Sequence, residues 1–333
     1  MTNQLDACLG IAAWLTNDAT KGAVVELYNS FISTFWEKLN RKRLASFMVK
    51  AASCITAGPE ARLSFLQDGS SKLLTERTTD DEACLVLRCE MAGIVLQTGE
   101  TKECKKMVEE IEEKLDGMTG CENRTYSTFH KAAALYYKSM NDAEAYYKAA
   151  LQFLGYVDLA DLSAEEQHSW AFDIGKAALL GEKVFNFGEL LVHPVLKALE
   201  GSAEAWMTEL LLAFNAGDVA AYKAAVQTHG AAIGQQPELV AGQTSLEQKL
   251  AILALMTLVF NRAGDERVLS FGDIDGATGV GSDGVEVLVM KAVCIGVIDA
   301  TIDEVEVCVR PPSGAKPSCR QTVPALQLWL LLA

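Results

Sequence analysis

Residues 267–309 read RVLSFGDIDGATGVGSDGVEVLVMKAVCIGVIDATIDEVEVCV, and the order of patterns in this stretch decides the fold class of the chain. The patterns predict a short strand at 267–271, a short helix weakened by glycine at 272–279, a stronger helix at 282–296 and a β-hairpin at 297–309. A strand, two helices and a hairpin in this order form a winged-helix module. In DNA-binding members of that class, the second helix enters the major groove.

The charge of this module argues against nucleic acid as its ligand. Between Asp265 and Arg310 the sequence has ten Asp or Glu and only three Lys or Arg. DNA binding requires basic side chains that replace counterions on phosphates. Asp283 and Glu286 lie on the first turn of the helix that would face those phosphates. We therefore expect the module to bind protein, with no nucleic-acid partner.

Composition indicates an intracellular protein with a sizeable core. Of the 333 residues, 50% are hydrophobic and only 7 are Pro, and the net charge is −15, which favours basic or neutral partners over polyanions. The nine cysteines include no CxxC pair, which predicts a reducing compartment. The first residues lack the basic region of a signal peptide. The apolar run 326–333 is shorter than the roughly 20 residues that span a bilayer, so we expect no membrane partner.

The region before the winged helix is predicted to be almost entirely helical. Helical periodicity covers 82–97, 101–115, 123–140 and 142–154. The starts of the two resulting pairs, Glu82 and Asn123, lie about 40 residues apart, which is typical of helical repeats that stack into a solenoid. An ordinary helical bundle is the alternative interpretation.

Further helices are predicted between the repeats and the winged helix, at 164–180, 187–200, 203–214, 219–229 and 244–261. Thr244 and Glu247 have the spacing of a capping box that would open the last of them. Because the link at 262–266 is short, this helix should pack on the winged helix as one unit. The aromatic stretch 185–191 could line a binding pocket, but we favour packing at a helix start, with Phe185 and Phe187 buried.

Candidate catalytic and metal-binding residues are absent from the sequence. The four histidines, at positions 130, 168, 193 and 229, have no metal-ligand spacing, and no nucleophile elbow occurs. Gly279, Gly281 and Gly284 match the dinucleotide motif GxGxxG, with Asp303 about 20 residues further on. The preceding residues are polar and rich in glycine, unlike the strand that this motif requires. We therefore expect no enzyme activity, cofactor or metal, and treat a dinucleotide-binding enzyme as a remote alternative.

Four blocks of sequence carry a family resemblance. They are YYKAALQFLGYVDLADL (146–162), LLGEKVFNFGELLVHPVL (179–196), AFNAGDV (213–219) and VEVLVMKAVCIGVIDATIDEV (285–305). Together with the order of solenoid, long helix and acidic winged helix, they resemble the PCI-domain subunits of the regulatory-particle lid of the 26S proteasome. The similarity covers most of residues 5–306.

The resemblance implies a mostly α fold, in which a right-handed, TPR-like helical-repeat solenoid precedes a C-terminal winged helix. We divide the chain into a solenoid at 1–180, a PCI domain at 181–310 and a divergent tail at 311–333. The helical part of the PCI domain is 181–262, and its winged helix is 263–310.

The resemblance also implies a non-catalytic scaffold present in cytoplasm and nucleus, with other PCI-type lid subunits as partners. The wing would be the joining surface, formed by Val297, Ile298, Thr301, Ile302, Val305 and Val307. A PCI subunit of a signalosome or of a translation-initiation-factor complex is the alternative. After about Val307 the chain departs from the family, since PPSGAKPSC and LQLWLLLA replace a strand-like segment and a long helix.

Overall fold

A computed structural model describes residues 40–73, 82–118, 120–262, 268–303 and 308–310, together with Glu26, Tyr28 and Ser30. The chain divides into two compact units between Asp158 and Leu159. The family-domain boundary at 180/181 stays a prediction. The N-terminal segment and the tail at 311–333 lie outside the described residues. In the described part of the chain, no helix is both long and apolar enough to cross a bilayer.

The first unit is built from pairs of helices. The described helices are α1 (Arg41–Ser53), α2 (Pro59–Leu73), α3 (Glu82–Gln97), α4 (Thr101–Gly117), α5 (Asn123–Ser139) and α6 (Ala143–Tyr156). Consecutive helices contact each other as α1–α2, α3–α4 and α5–α6, and the first helices of neighbouring pairs stack as α1–α3 and α3–α5. The predicted helical repeat is therefore confirmed, and α1–α2 adds a pair that the sequence pattern had not shown.

Helix α3 forms the centre of this stack and is buried on nearly all sides. Its buried side chains are mostly small or aliphatic, and those with under 2% exposure include Leu85, Leu87 and Cys89. A helix without a polar face must be covered by neighbours, and α1, α2, α4 and α5 all contact it. By contrast, α4 buries only one stripe and leaves its charged side chains in water.

A chain of ionic contacts joins the starts of α1, α3 and α5. Lys42 forms an ion pair with Glu82, and its Nζ lies 2.9 Å from Glu122 Oε1. The backbone N–H of Glu122 donates to Glu82 Oε1 at 2.6 Å. Lys42, Glu82 and Glu122 are successively 40 residues apart, so the repeat period places them at equivalent positions. Burial tends to raise the pKa of Glu82, but the hydrogen bonds from Lys42 and from the Glu122 N–H outweigh it and hold that pKa below its usual range.

The second unit begins with helices and ends with the winged helix. The helices before it are α7 (Ala164–Leu180), α8 (Gly188–Val192), α9 (Trp206–Ala216), α10 (Val219–Gly234), α11 (Pro237–Ala241) and α12 (Gln243–Asn261), with a 3₁₀ helix at Pro194–Leu199. Ser163 and Glu166 form a capping box at the start of α7. Helix α12 contacts α7, α9, α10 and α11, and it also contacts both helices of the winged module. The prediction that α12 and the winged helix pack as one unit is confirmed.

Two local predictions in this unit were wrong. The helix expected at 187–200 is interrupted after Val192, because Pro194 cannot donate a backbone hydrogen bond, and His193 Nδ1 accepts from Val195 N at the start of the 3₁₀ turn. The capping box at Thr244 and Glu247 does not form, since α12 begins one residue earlier, with Gly242 at its N-cap and no side-chain cap.

A buried lysine ties α12 to the end of α7. Lys249 is 5% exposed, and its Nζ donates to the carbonyl oxygens of Ala178, Leu179 and Gly181 at 2.6, 3.1 and 2.7 Å. The last carbonyls of a helix have no partner within it and carry partial negative charge. The ammonium therefore satisfies and neutralises the end of α7.

The aromatic block after α7 completes the surroundings of this lysine. The Phe185 and Phe187 rings lie 5.8 and 5.2 Å from Lys249 Nζ, a cation–π arrangement. Phe187 is 1% exposed and meets Phe214 of α9 edge to face, with ring centroids 6.2 Å apart. The prediction that Phe185 and Phe187 pack at a helix start is confirmed.

Gly217 ends α9 where the chain passes close to α12. Its φ of +65° is left-handed, a conformation that costs residues with a Cβ. A Cβ there would lie 2.9 Å from backbone atoms of Ala254. Only glycine can adopt the left-handed conformation and also fit this close to Ala254, which explains the glycine in the AFNAGDV block.

Replacing Lys249 by Met should destabilise the second unit by about 3 kcal/mol, because three buried carbonyls would lose their donor. The measurement is urea unfolding at pH 7. Lys223→Met, at an exposed position of α10, is the matched control and should change stability by less than about 0.5 kcal/mol. Equal stabilities for the two variants would contradict this account of Lys249.

Replacing Glu82 by Gln should cost about 1–2 kcal/mol at pH 7 and much less in acid. Since the folded-state pKa of Glu82 is lowered, its stabilisation is present above the pKa of the unfolded chain and is lost as pH falls through the folded value. Thermal unfolding of wild type and variant between pH 7 and pH 3.5 should therefore show melting temperatures that converge below about pH 4. Glu122→Gln, whose side chain is 59% exposed, should show a smaller difference. A constant gap across this pH range would show that the charge of Glu82 is not responsible.

Candidate subunit interface

The winged helix predicted from residues 267–309 is present. Its elements are β1 (Leu269–Ser270), α13 (Phe271–Thr278), α14 (Ser282–Ile295), β2 (Thr301–Asp303) and β3 (Cys308–Arg310). The boundaries differ by a few residues from those expected. Phe271 opens α13 and does not extend the strand, because the Ser270 side chain caps that helix in a capping box with Asp273.

The strands form an antiparallel sheet in the order β1–β3–β2. Leu269 is opposite Val309 across β1 and β3, while Ile302 is opposite Val309 across β2 and β3. Among the described strands, β2 pairs with β3 and lies at one end of this order. Backbone N–H and C=O groups on the other side of an edge strand can pair with a strand of another chain.

Buried apolar side chains anchor the sheet. Leu269, Val309 and Cys308 are 2%, 4% and 5% exposed. Val285 and Val289 of α14 are fully buried on the inner side of the module. The core of the module therefore fixes the position of the wing on the scaffold of α12, α13 and α14.

The six residues predicted to form the interface differ in their placement. Thr301 is exposed, and Val297 and Ile302 are partly buried. Ile298 is only 7% exposed and faces the interior of the unit, so it supports the wing from within. Val305 and Val307 lie outside the described residues. A partner contact at any of these positions stays a prediction.

The surface around the wing is acidic. Asp283 and Asp299 are exposed, and Lys291 is the basic residue of α14. Hydrogen bonds with Ser270 and the nearby guanidinium of Arg262, 3.1 Å from Asp273 Oδ2, lower the pKa of Asp273. Carboxylates on the helix that reads bases in DNA-binding winged helices would repel phosphates.

The GxGxxG motif lies at the turn between α13 and α14. Gly279 caps the C-terminal end of α13 in the left-handed conformation, and Gly281 precedes α14. An α-helix thus precedes the motif where a dinucleotide fold requires a strand. A Cβ on Gly284 would lie 2.5 Å from Val280 Cγ1, so this glycine allows close packing of the corner.

The histidines have separate, local contacts. His130 stacks on Tyr156, His168 lies 3.3 Å from Glu204, and His229 lies 3.1 Å from Glu209. His193 caps a 3₁₀ turn. Among the described residues, no group of three or more metal-binding side chains comes together.

Stacked helical pairs, a long buried helix and an acidic winged helix define a helical-repeat, PCI-type subunit. The family described as PSD13 N-terminal repeats matches residues 2–211. The chain belongs to the family of 26S proteasome non-ATPase regulatory subunit 13.

Individual relatives extend this similarity beyond the repeats. Homolog A of 26S proteasome non-ATPase regulatory subunit 13 from Arabidopsis thaliana is 33% identical over 306 residues, which cover 92% of this chain and 78% of the relative. The subunit 13 protein of Dictyostelium discoideum is 32% identical, over 85% of this chain and 73% of the relative. The 26S proteasome regulatory subunit RPN9 of Saccharomyces cerevisiae is 27% identical, over 84% and 73%.

Two glycines of the winged helix should respond in opposite directions to alanine. Gly296 ends α14 with φ +79° and turns the chain into the wing, so Gly296→Ala should destabilise the unit by about 1–2 kcal/mol. Gly276 lies inside α13, and a Cβ added there would meet no atom within 4 Å, so Gly276→Ala should stabilise the unit by about 0.5–1 kcal/mol. Urea unfolding of both variants measures this, and a change of the same sign in both would contradict the assigned backbone conformations.

Proposed function

We propose that this protein is a non-catalytic scaffold subunit of the regulatory-particle lid of the 26S proteasome, acting in ubiquitin-dependent protein degradation. The observation that carries the proposal is an acidic winged helix whose strand β2 lies at one end of the described sheet, in a chain of the subunit 13 family. Its partners would be other PCI-type lid subunits, in cytoplasm and nucleus.

Pairing between edge strands supplies the physical basis of assembly. A strand added beside β2 would satisfy the outward backbone groups through main-chain hydrogen bonds, while neighbouring side chains give specificity. Thr301 is exposed on this strand, and Ile302 is partly buried. Together they offer a polar and an apolar contact beside the backbone.

The family membership favours the proteasome over the signalosome and initiation-factor alternatives, because the matching relatives are proteasome regulatory subunits. A scaffold role also agrees with the local, structural contacts of the histidines. The dinucleotide alternative is not favoured, since α13 stands where that motif needs a strand.

Proline substitutions in β2 should separate assembly from folding. Successive N–H groups along a strand point to opposite sides, so one of Thr301→Pro and Ile302→Pro removes an inward hydrogen bond to β3 and the other removes an outward donor. The inward variant should melt at a lower temperature. The outward variant should keep its melting temperature but recover at least tenfold less of the other lid subunits when the tagged chain is captured from cells.

The surface control is Val192→Thr, at a position of α8 that is 72% exposed, and it should capture lid subunits normally. Threonine is used there because a proline would break α8. Normal capture by both β2 variants would overturn the edge-strand proposal. Capture of signalosome or initiation-factor subunits in place of lid subunits would favour the alternative complexes.

A further inference from the structure

An open groove lies between the winged helix and the helices that carry it. It has a volume of about 550 Å³, and its lining residues belong to α10, α12, α13, α14 and the turn that joins the last two. Buried side chains form its floor, among them Tyr222, Leu250 and Leu288 at 8%, 2% and 6% exposure. All of these residues belong to the second unit, so the groove is a feature of one compact body.

Large apolar side chains on the rim of this groove are exposed to water. Val280 and Val287 both line the groove and are 42% and 61% exposed. Val287 lies on α14, which corresponds to the helix that enters the major groove in DNA-binding winged helices. Apolar side chains that gather at a concave surface are typical of a site that a partner covers.

The charge of the groove differs in sign from that of the surrounding module. Among the described residues that line it, Lys223 of α10 and Lys291 of α14 are basic, and Glu247 of α12 is acidic. Residues 265–310 as a whole contain ten acidic and three basic residues. The groove is therefore locally basic on an acidic protein.

Neither lysine has a carboxylate partner among the described residues. Lys291 Nζ donates to the side-chain amide oxygen of Gln248, which carries no charge, and Lys223 is exposed. Asp283 and Glu286, the acidic residues of α14, lie outside the lining of the groove. Two ammonium groups on different walls thus lack counter-ions, which a ligand with carboxylates would supply.

The walls of the groove determine the backbone form of its ligand. They are helices, whose backbone groups are already paired within each helix. The groove therefore offers side-chain contacts and no strand edge, so a ligand has to satisfy its own backbone hydrogen bonds. An α-helix does so, and an apolar stripe at its positions i, i+3, i+4 and i+7 fits an apolar groove, with polar residues beside the stripe.

We propose that this groove binds an amphipathic helix of another protein. The apolar stripe of that helix covers Val280 and Val287, and the carboxylates beside the stripe pair with Lys223 and Lys291. The groove is formed by α10, α12, α13 and α14, whereas the proposed assembly surface is the edge of β2. This inference is therefore independent of the proposed scaffold function.

Fluorescence anisotropy of designed peptides with the full chain tests the proposal. The probe is a labelled helical peptide of about 18 residues, with leucines at i, i+3, i+4 and i+7 and glutamates beside them. Its control has lysines in place of the glutamates. The net charge of −15 by itself favours the basic peptide, so tighter binding of the acidic peptide is diagnostic of the groove. Added salt should reduce the difference, because exposed ion pairs are screened.

Substitutions in the groove should change the affinity in a defined way. Val287→Glu should weaken binding of the acidic peptide by about tenfold or more, because it places a charge against the apolar stripe. Val192→Glu, at an exposed valine outside the lining, is the matched control and should leave the affinity unchanged. The double variant Lys223→Glu with Lys291→Glu should reverse the preference, so that the basic peptide binds more tightly. Melting temperatures report whether each variant keeps its fold.

Three results would overturn the proposal. The first is an acidic peptide that binds no more tightly than the basic one or does not bind at all. The second is an equal effect of Val287→Glu and Val192→Glu on the affinity. The third is a dimer of the full chain that Val287→Glu dissociates in sedimentation, because a second copy would then occupy the groove. The test needs no lid subunit, so its failure is distinguishable from a failure of the scaffold proposal.

Discussion

The second unit depends on an ammonium group placed where α7 ends. Burying a lone charge costs several kcal/mol, so Lys249 is tolerated only because three carbonyls and two aromatic faces surround it. The contact fixes α12 against α7, and α12 in turn carries the winged helix. This polar contact between α12 and the end of α7 therefore contributes to the position of the wing.

In the first unit, ionic contacts link helices that are distant in sequence, as the Lys249 contact does in the second unit. The helices of the first unit stack through apolar faces, which are non-directional and allow sliding, whereas the contacts among Lys42, Glu82 and Glu122 are directional. Their spacing of 40 residues joins equivalent positions in successive pairs. These contacts therefore add directional links between successive pairs to the apolar packing.

The acidic surface of the winged helix and the edge strand of its wing are both consistent with binding a protein and not a nucleic acid. A winged helix that carries Asp283 on its second helix is poorly suited to phosphates, while its strand β2 lies at one edge of the described sheet. Under the proposed function, the module binds its partner through the strand and not through the helix. Membership of a proteasome regulatory-subunit family agrees with a surface that joins protein chains.

Periodicity and composition alone determined the helical repeat, the order of elements in the winged helix and its acidic character, because these depend on local patterns of apolar and charged residues. The aromatic packing of Phe185 and Phe187 was also predictable from sequence. The sequence could not reveal that Lys249 is buried, since a lysine in a helix is ordinarily exposed. It also could not show that Gly242, and not Thr244, precedes α12, or that Ile298 faces inward. These features depend on which distant segments meet, such as the end of α7 with the middle of α12, and only the tertiary structure brings those segments together.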